Sequence, residues 1–198
     1  QTPKIGIPII LLIFLLISPV SAVAPISGET IHDAHVYGAE KRQTPLREFL
    51  LPWTAYEEKA VKTGDGADHA IVYTPFLLIA NNSRDKARAG LTMDMADTEK
   101  VLADYAGYYT FTIVIHDEVK KISSVVLEQG KKIVSASDFI IDKPELLNVK
   151  ANEKPRYITR IYIYFSTKDI VANQPLFLKV DGSKKEKYSF YFNLPKLK

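Results

Sequence analysis

The chain has 198 residues, 46% of them apolar and 25% charged, with no cysteine and a formal net charge of +3. That balance is enough for a folded protein with one sizeable core. The missing thiols exclude disulfides, CxxC redox chemistry, cysteine nucleophiles and cysteine–zinc sites. Charge is unevenly spread: residues 143–198 carry 12 Lys and Arg against 5 Asp and Glu, a net of +7, and residues 1–142 carry 14 against 18, a net of −4. A basic C-terminal third suits an anionic lipid or cell-wall polymer. Equally, Lys184, Lys185, Lys187, Lys196 and Lys198 do no more than solubilise a turn and a tail. No nucleic-acid module is legible.

Lys4 precedes an apolar run over residues 5–17, broken only by Gly6 and Pro8, and Pro19 leads into Val20-Ser21-Ala22-Val23-Ala24. A basic start, a short apolar core and a small-residue exit read as a secretory signal peptide over residues 1–22, cut between Ala22 and Val23. The competing reading is an uncleaved membrane anchor. Thirteen helical residues span roughly 20 Å, however, short of the ~30 Å hydrocarbon core. Export without cysteine places the protein outside the cytoplasm, in the periplasm, at the cell surface or secreted, and fits a bacterial envelope better than a disulfide-stapled module.

Residues 23–43 are polar and small without periodicity and are expected to be an extended leader. Thr44-Pro45-Leu46 has the form of a helix start, for a helix over 46–51 stopped by Pro52. Thr54-x-x-Glu57 suggests a capping box for a second helix reaching residue 62. Trp53, the only tryptophan, is expected to plug the core between them. A turn cluster over 63–68 precedes a strand over 69–73. Thr74-Pro75 then opens a helix ended at Gly90, and a further helix is expected over 93–106, with Met95, Leu102 and Tyr105 on one face and Gly107 as its cap.

Beyond Gly107 the period changes to two. Strands are expected over 109–116, 122–128 and 131–135, the last two joined by a turn at Gln129-Gly130. A short edge strand covers 139–141, and the Pro-containing stretch 143–155 is expected to cross between sheets. Tyr157 to Phe165 alternates strictly, and Leu176, Leu178 and Val180 face Tyr188, Phe190 and Phe192 across a charged turn. The expected fold is mainly β with a helical N-terminal part. It is an antiparallel, Ig-like sandwich of about six or seven strands over 108–198, with two to four short helices from the 44–107 part on one end or face. The disulfide and core-strand tryptophan of immunoglobulin domains are absent, so the likeness is one of architecture.

Few residues carry recognisable chemistry. His32-Asp33-Ala34-His35 and Asp65-Gly66-Ala67-Asp68-His69 hold metal-ligating types, but neither completes a zinc or calcium set. His116 beside Asp117 reads as a satisfied strand-end histidine, and Asn81-Asn82-Ser83 as a glycosylation triplet or an ordinary helix end. No GxSxG elbow or paired catalytic carboxylates stand out, and no cofactor is implied. The strongest surface signal is aromatic: Tyr162 and Tyr164 share one strand face and Tyr191 lies on the last strand, so that the three, flanked by Arg160 and Lys179, form a platform if those faces are neighbours. If helices cover them, they are core.

These residues imply an exported, non-enzymatic protein that binds a protein partner or a cell-envelope polymer. A structural or assembly subunit tethered by its N-terminal hydrophobic helix, and a hydrolase with an unrecognised site, are the alternatives. Mass spectrometry of the extracytoplasmic protein should find Val23 at its terminus, and Ala22→Leu should block processing. A mature chain that retains residues 5–17 would make the anchored reading primary.

Overall fold

The computed structural model describes residues 26–64, 66–147, 155–183 and 186–197. The apolar N-terminal run, the bond between Ala22 and Val23, and Asp65 lie outside them. Four helices, α1 (Gly28–Glu40), α2 (Leu46–Leu50), α3 (Pro75–Arg88) and α4 (Met95–Asp104), accompany two antiparallel sheets of six and four strands. Among the described residues no helix is long and apolar enough to cross a membrane.

The first correction falls on the expected leader, most of which is α1. Ser27 caps it, its Oγ accepting from the Thr30 N–H, and Ile31, Ala34 and Gly38 form a stripe at helical spacing. Such small residues barely register as an apolar face, and what makes the segment helical is contact with α3. There the helices approach so closely that a Cβ on Gly38 would lie 2.1 Å from the Ala80 carbonyl oxygen. The Ser83 hydroxyl donates to the His35 carbonyl across the same crossing at 2.8 Å.

An aromatic cluster fastens this crossing to the rest. Tyr37 meets Phe49, Trp53 and Phe76 with ring centroids 5.5 to 5.9 Å apart. Trp53 is 2% exposed, the core plug expected of it. Arg84, equally buried, lies 5.2 Å over the Phe49 ring and donates to the Thr44 carbonyl at 2.8 Å.

Two helix signals mislead nearby. Pro45, not Thr44, is the cap residue of α2, although the helix begins at Leu46 as expected and ends at Leu50. The second helix, over 54–62, is absent: Thr54–Tyr56 is strand β1. Thr54 Oγ1 donates to the Leu50 carbonyl and Glu57 Oε2 accepts from the Lys59 N–H, so the would-be capping box is spent on other partners.

The Thr74-Pro75 signal holds, with Thr74 Oγ1 accepting from the Leu77 N–H at the start of α3. Helix α4 begins two residues later than expected, where Asp94 and Asp97 form a reciprocal capping box.

The remaining strands are β2 (His69–Tyr73), β3 (Tyr108–Ile115), β4 (Ile122–Gln129), β5 (Lys132–Ser135), β6 (Asp138–Ile141), β7 (Glu145–Leu147), β8 (Arg156–Ser166), β9 (Leu176–Gly182) and β10 (Lys187–Phe192). Eight strands therefore follow residue 107 rather than six or seven. The larger sheet runs β1-β2-β3-β8-β6, with β7 also on β8, and the smaller runs β10-β9-β4-β5.

Gln129 pairs with Lys132, so the hairpin turns at Gly130 and Lys131, Gly130 having φ +58°. The stretch 143–155 does not cross between sheets: β6, β7 and β8 belong together, and residues 148–154 lie outside the described chain. The crossing is made by Ala136 and Ser137, whose N–H groups donate to Val125 in the smaller sheet and to Tyr164 in the larger. On the opposite side Glu57 bridges to Phe190, and the Glu58 N–H donates to the Ser189 carbonyl at 3.0 Å.

The sheets are thus joined along both edges. Their facing sides share one core, in which Phe111 meets Phe192 with ring centroids 5.5 Å apart.

Filling the helix crossing should cost stability. Gly38→Ala is expected to lose about 1–3 kcal/mol through overpacking, read by urea unfolding. A loss within ~0.5 kcal/mol, the size seen at surface positions, would show that the two helices separate without penalty.

Candidate functional site

Strand period determines what the outer side of the larger sheet displays. Phe111, Ile113, Ile161, Ile163 and Phe165 are fully buried on the inner side. Their neighbours in sequence therefore point outward. The register places Thr110 opposite Tyr164 and Thr112 opposite Tyr162, with Tyr73 on the far side of Thr110 and Asp138 and Ile140 on the far side of the tyrosines. Tyr162 and Tyr164 therefore share a face, and both are half-buried.

The expected five-residue platform does not assemble. Tyr191 and Lys179 lie on the outer side of the smaller sheet, across the core from Tyr162, Tyr164 and Arg160, because the last strand belongs to the other sheet. Tyr191 is 45% exposed, its ring 5.1 Å from Phe177. Lys179 pairs with Glu128 at 2.6 Å. Arg160 donates to Glu145 at 2.8 Å, and that bond raises its already high pKa. Both cations are therefore held by neighbouring carboxylates. Burial, and after it Asp142, push the Tyr162 hydroxyl above its ordinary pKa.

What forms instead is a groove of about 550 Å³ at the Tyr164 end of the sheet. Tyr108 at the start of β3 meets Tyr164 edge to face, ring centroids 6.3 Å apart and planes at 83°. Tyr105, just past the end of α4, contributes a third ring, and Tyr108 and Tyr105 are 50% and 39% exposed. Thr110 lies at the floor, 5% exposed, with an Oγ1 that has no hydrogen-bond partner. Asp104 from α4 and Asp138 from β6 supply two carboxylates, and among the described residues no Lys, Arg or His lines the groove. On the other side of Tyr105 and Tyr108 a second, apolar hollow of about 510 Å³ runs between Ile31, Leu78, Met95 and Leu102.

Sequence reasoning missed Tyr105, Tyr108, Thr110, Asp104 and Asp138. Tyr105 is expected on one face with Met95 and Leu102, but α4 ends at Asp104, buries Thr98, and leaves both Met95 and Tyr105 exposed. The available signal was the pair of tyrosines around Gly107, whose φ of +84° makes the sharp helix-to-strand turn that brings them together.

The histidines serve structure. His35 Nε2 shares a 2.8 Å hydrogen bond with Thr98 Oγ1, tying α1 to α4. Asp68 Oδ1 accepts from the His116 N–H at 2.7 Å and lies 3.4 Å from its Nδ1, so the partner of His116 is Asp68 rather than the adjacent Asp117. His69 Nδ1 lies 2.8 Å from the Ala67 carbonyl, its ring 6.2 Å from that of His116. Nearby, burial and then Asp68, Asp117, Glu186 and Glu57 push the Tyr188 hydroxyl up to about 12. Among the described residues no His, Asp and Glu group could hold a metal ion. Ser83 of the Asn81-Asn82-Ser83 triplet is 4% exposed inside the helix crossing, where it serves α1–α3 packing.

Burial lowers the pKa of both His69 and His35. Their folded-state pKa values lie below the unfolded value near 6.5, so the unfolded chain binds more protons in that range and stability falls as pH drops through it. Thermal melts between pH 7.5 and 5 should show this decline, with a shallower slope in His69→Gln; an unchanged slope would remove His69 as a source. No family model matches the chain, and no curated protein matches it.

Proposed function

We propose that the chain is an exported, non-enzymatic binding protein of the cell envelope, and that it holds its ligand on the tyrosine groove of the larger sheet. The observation that carries this reading is the corner of Tyr108, Tyr164 and Tyr105, three partly exposed rings around one concavity with carboxylates at its rim. Rigid aromatic faces stack on sugar rings and anchor partners at low entropic cost, and Asp104 and Asp138 accept from hydroxyls. A cell-envelope polysaccharide fits this chemistry better than a protein partner, because an open groove with a polar rim follows an extended chain of hydroxylated rings.

Serine-type hydrolysis is disfavoured by the groove's own groups. Ser137 Oγ accepts from the Ser166 N–H at 3.2 Å, and among the described residues no histidine lines the groove to act as its base. The signal-like N-terminal run supports the location outside the cytoplasm, and for an exported protein the lack of cysteine fits a bacterial envelope.

Co-sedimentation of the full chain with insoluble cell-wall polysaccharide tests the reading. Tyr108→Ser with Tyr164→Ser should weaken retention about tenfold, the loss of roughly one aromatic contact, while Tyr191→Ser on the opposite face should leave it intact. The reverse pattern would move the binding face to the smaller sheet, and shortening of the polymer during incubation would overturn the non-enzymatic part.

A further inference from the structure

Resting on that assignment of the groove as the binding face, we propose that it selects an alkylammonium group, such as the trimethylammonium of choline. Two rings set at 83° with centroids 6.3 Å apart form adjoining walls, and Tyr105 adds a third. The faces of such rings are electron-rich and attract cations. A primary ammonium keeps a tight hydration shell that must be replaced by three acceptors. An alkylated one carries its charge on methyl groups that lie directly against ring faces, so it is the cation such walls favour.

The electrostatics of the rim point the same way. Among the described residues Asp104 and Asp138 are the charged groups lining the groove, and no cationic side chain opposes them there. Asp104 is also the last residue of α4, a helix with no basic residue in its last turn. It therefore adds its charge to the negative end of the helix dipole, an arrangement unfavourable to the free protein that a bound cation relieves. Asp138 is held in place by its own Oδ1, which accepts from the Phe139 N–H at 2.8 Å.

The third observation is Thr110. Its buried Oγ1 lacks a partner beside Tyr164, the residue opposite it in the register. Buried hydroxyls are nearly always satisfied. That oxygen is closed off in the free protein, so a ligand hydroxyl such as that of choline completes it only where the Tyr164 ring shifts aside.

Choline and its neutral carbon isostere, 3,3-dimethylbutan-1-ol, separate charge from shape and should be titrated into the full chain by NMR or calorimetry. Choline should bind saturably and the isostere about tenfold more weakly or worse. Asp104→Asn with Asp138→Asn should reduce that preference, leaving the part supplied by the rings. Tyr164→Leu should lose choline binding, Tyr164→Phe should retain it, and Tyr191→Leu should have no effect. Equal affinities for the two probes, or no saturable choline binding, would overturn the inference.

Vesicles of phosphatidylcholine, set against phosphatidylglycerol, tell a lipid headgroup from a soluble source: choline-competed retention on the former assigns the headgroup, and choline binding without vesicle retention assigns the solute. If choline fails while polysaccharide retention still depends on Tyr108 and Tyr164, the cation selectivity falls and the binding face stands. If retention is also independent of the tyrosines, both fall.

Discussion

The pairing of β3 with β8 is the constraint on which the core and the groove both depend. Eight residue pairs run from Tyr108 opposite Ser166 to Ile115 opposite Thr159. Along them one side is apolar except for Tyr109 and Thr159 at its ends, and the other carries Thr110, Thr112, Tyr162 and Tyr164. A slip of one residue exchanges the two sides, putting hydroxyls into the core and Phe111, Ile113 and Ile163 into water. At about 1.5–3 kcal/mol for each large apolar side chain exposed, no such alternative competes. The positions of the tyrosines therefore follow from the burial of the isoleucines and phenylalanines between them.

The helices extend this frame rather than enclosing it. The close contact of Gly38 with Ala80 brings α1 onto α3, and Arg84 is made tolerable inside by the Thr44 carbonyl, Asp85 and the Phe49 ring. From that layer His35 reaches Thr98, and Lys86 pairs with Asp97, so α4 is held at its first turns. Its far end is thereby aimed at the sheet, which is why Asp104 and Tyr105 stand at the rim of the groove while most of the tyrosine face stays uncovered.

Period-two alternation made the strands from Tyr108 onward legible in the sequence, because burial of one face imposes a repeat that survives without any partner information. The inward set of Ile161, Ile163 and Phe165 was readable for that reason. Sheet membership was not. Nothing local to Tyr191 says which sheet its strand joins, and the platform expected from Tyr162, Tyr164 and Tyr191 separates onto opposite sides. Helix α1 escaped for the opposite reason: its stripe is built of Ala34 and Gly38, whose value lies in letting another backbone approach, and a hydrophobic pattern does not register small size. The groove combines a helix end, a strand start and a corner between sheets, elements that come together only in three dimensions.

The seam between β1 and β10 has a kinetic meaning. Glu57 meets Phe190 across most of the described chain, so the contact that closes that side of the sandwich is among the longest-range in the molecule. Bringing such distant segments together carries a large loop-closure entropy and is correspondingly slow. Until the last strand is available the edge of the smaller sheet formed by β9 is unpaired, and β1 has a partner on one side alone. A growing chain therefore reaches its full stability only when β10 has emerged and docked, and the preceding interval is when its strand edges are open to misassociation.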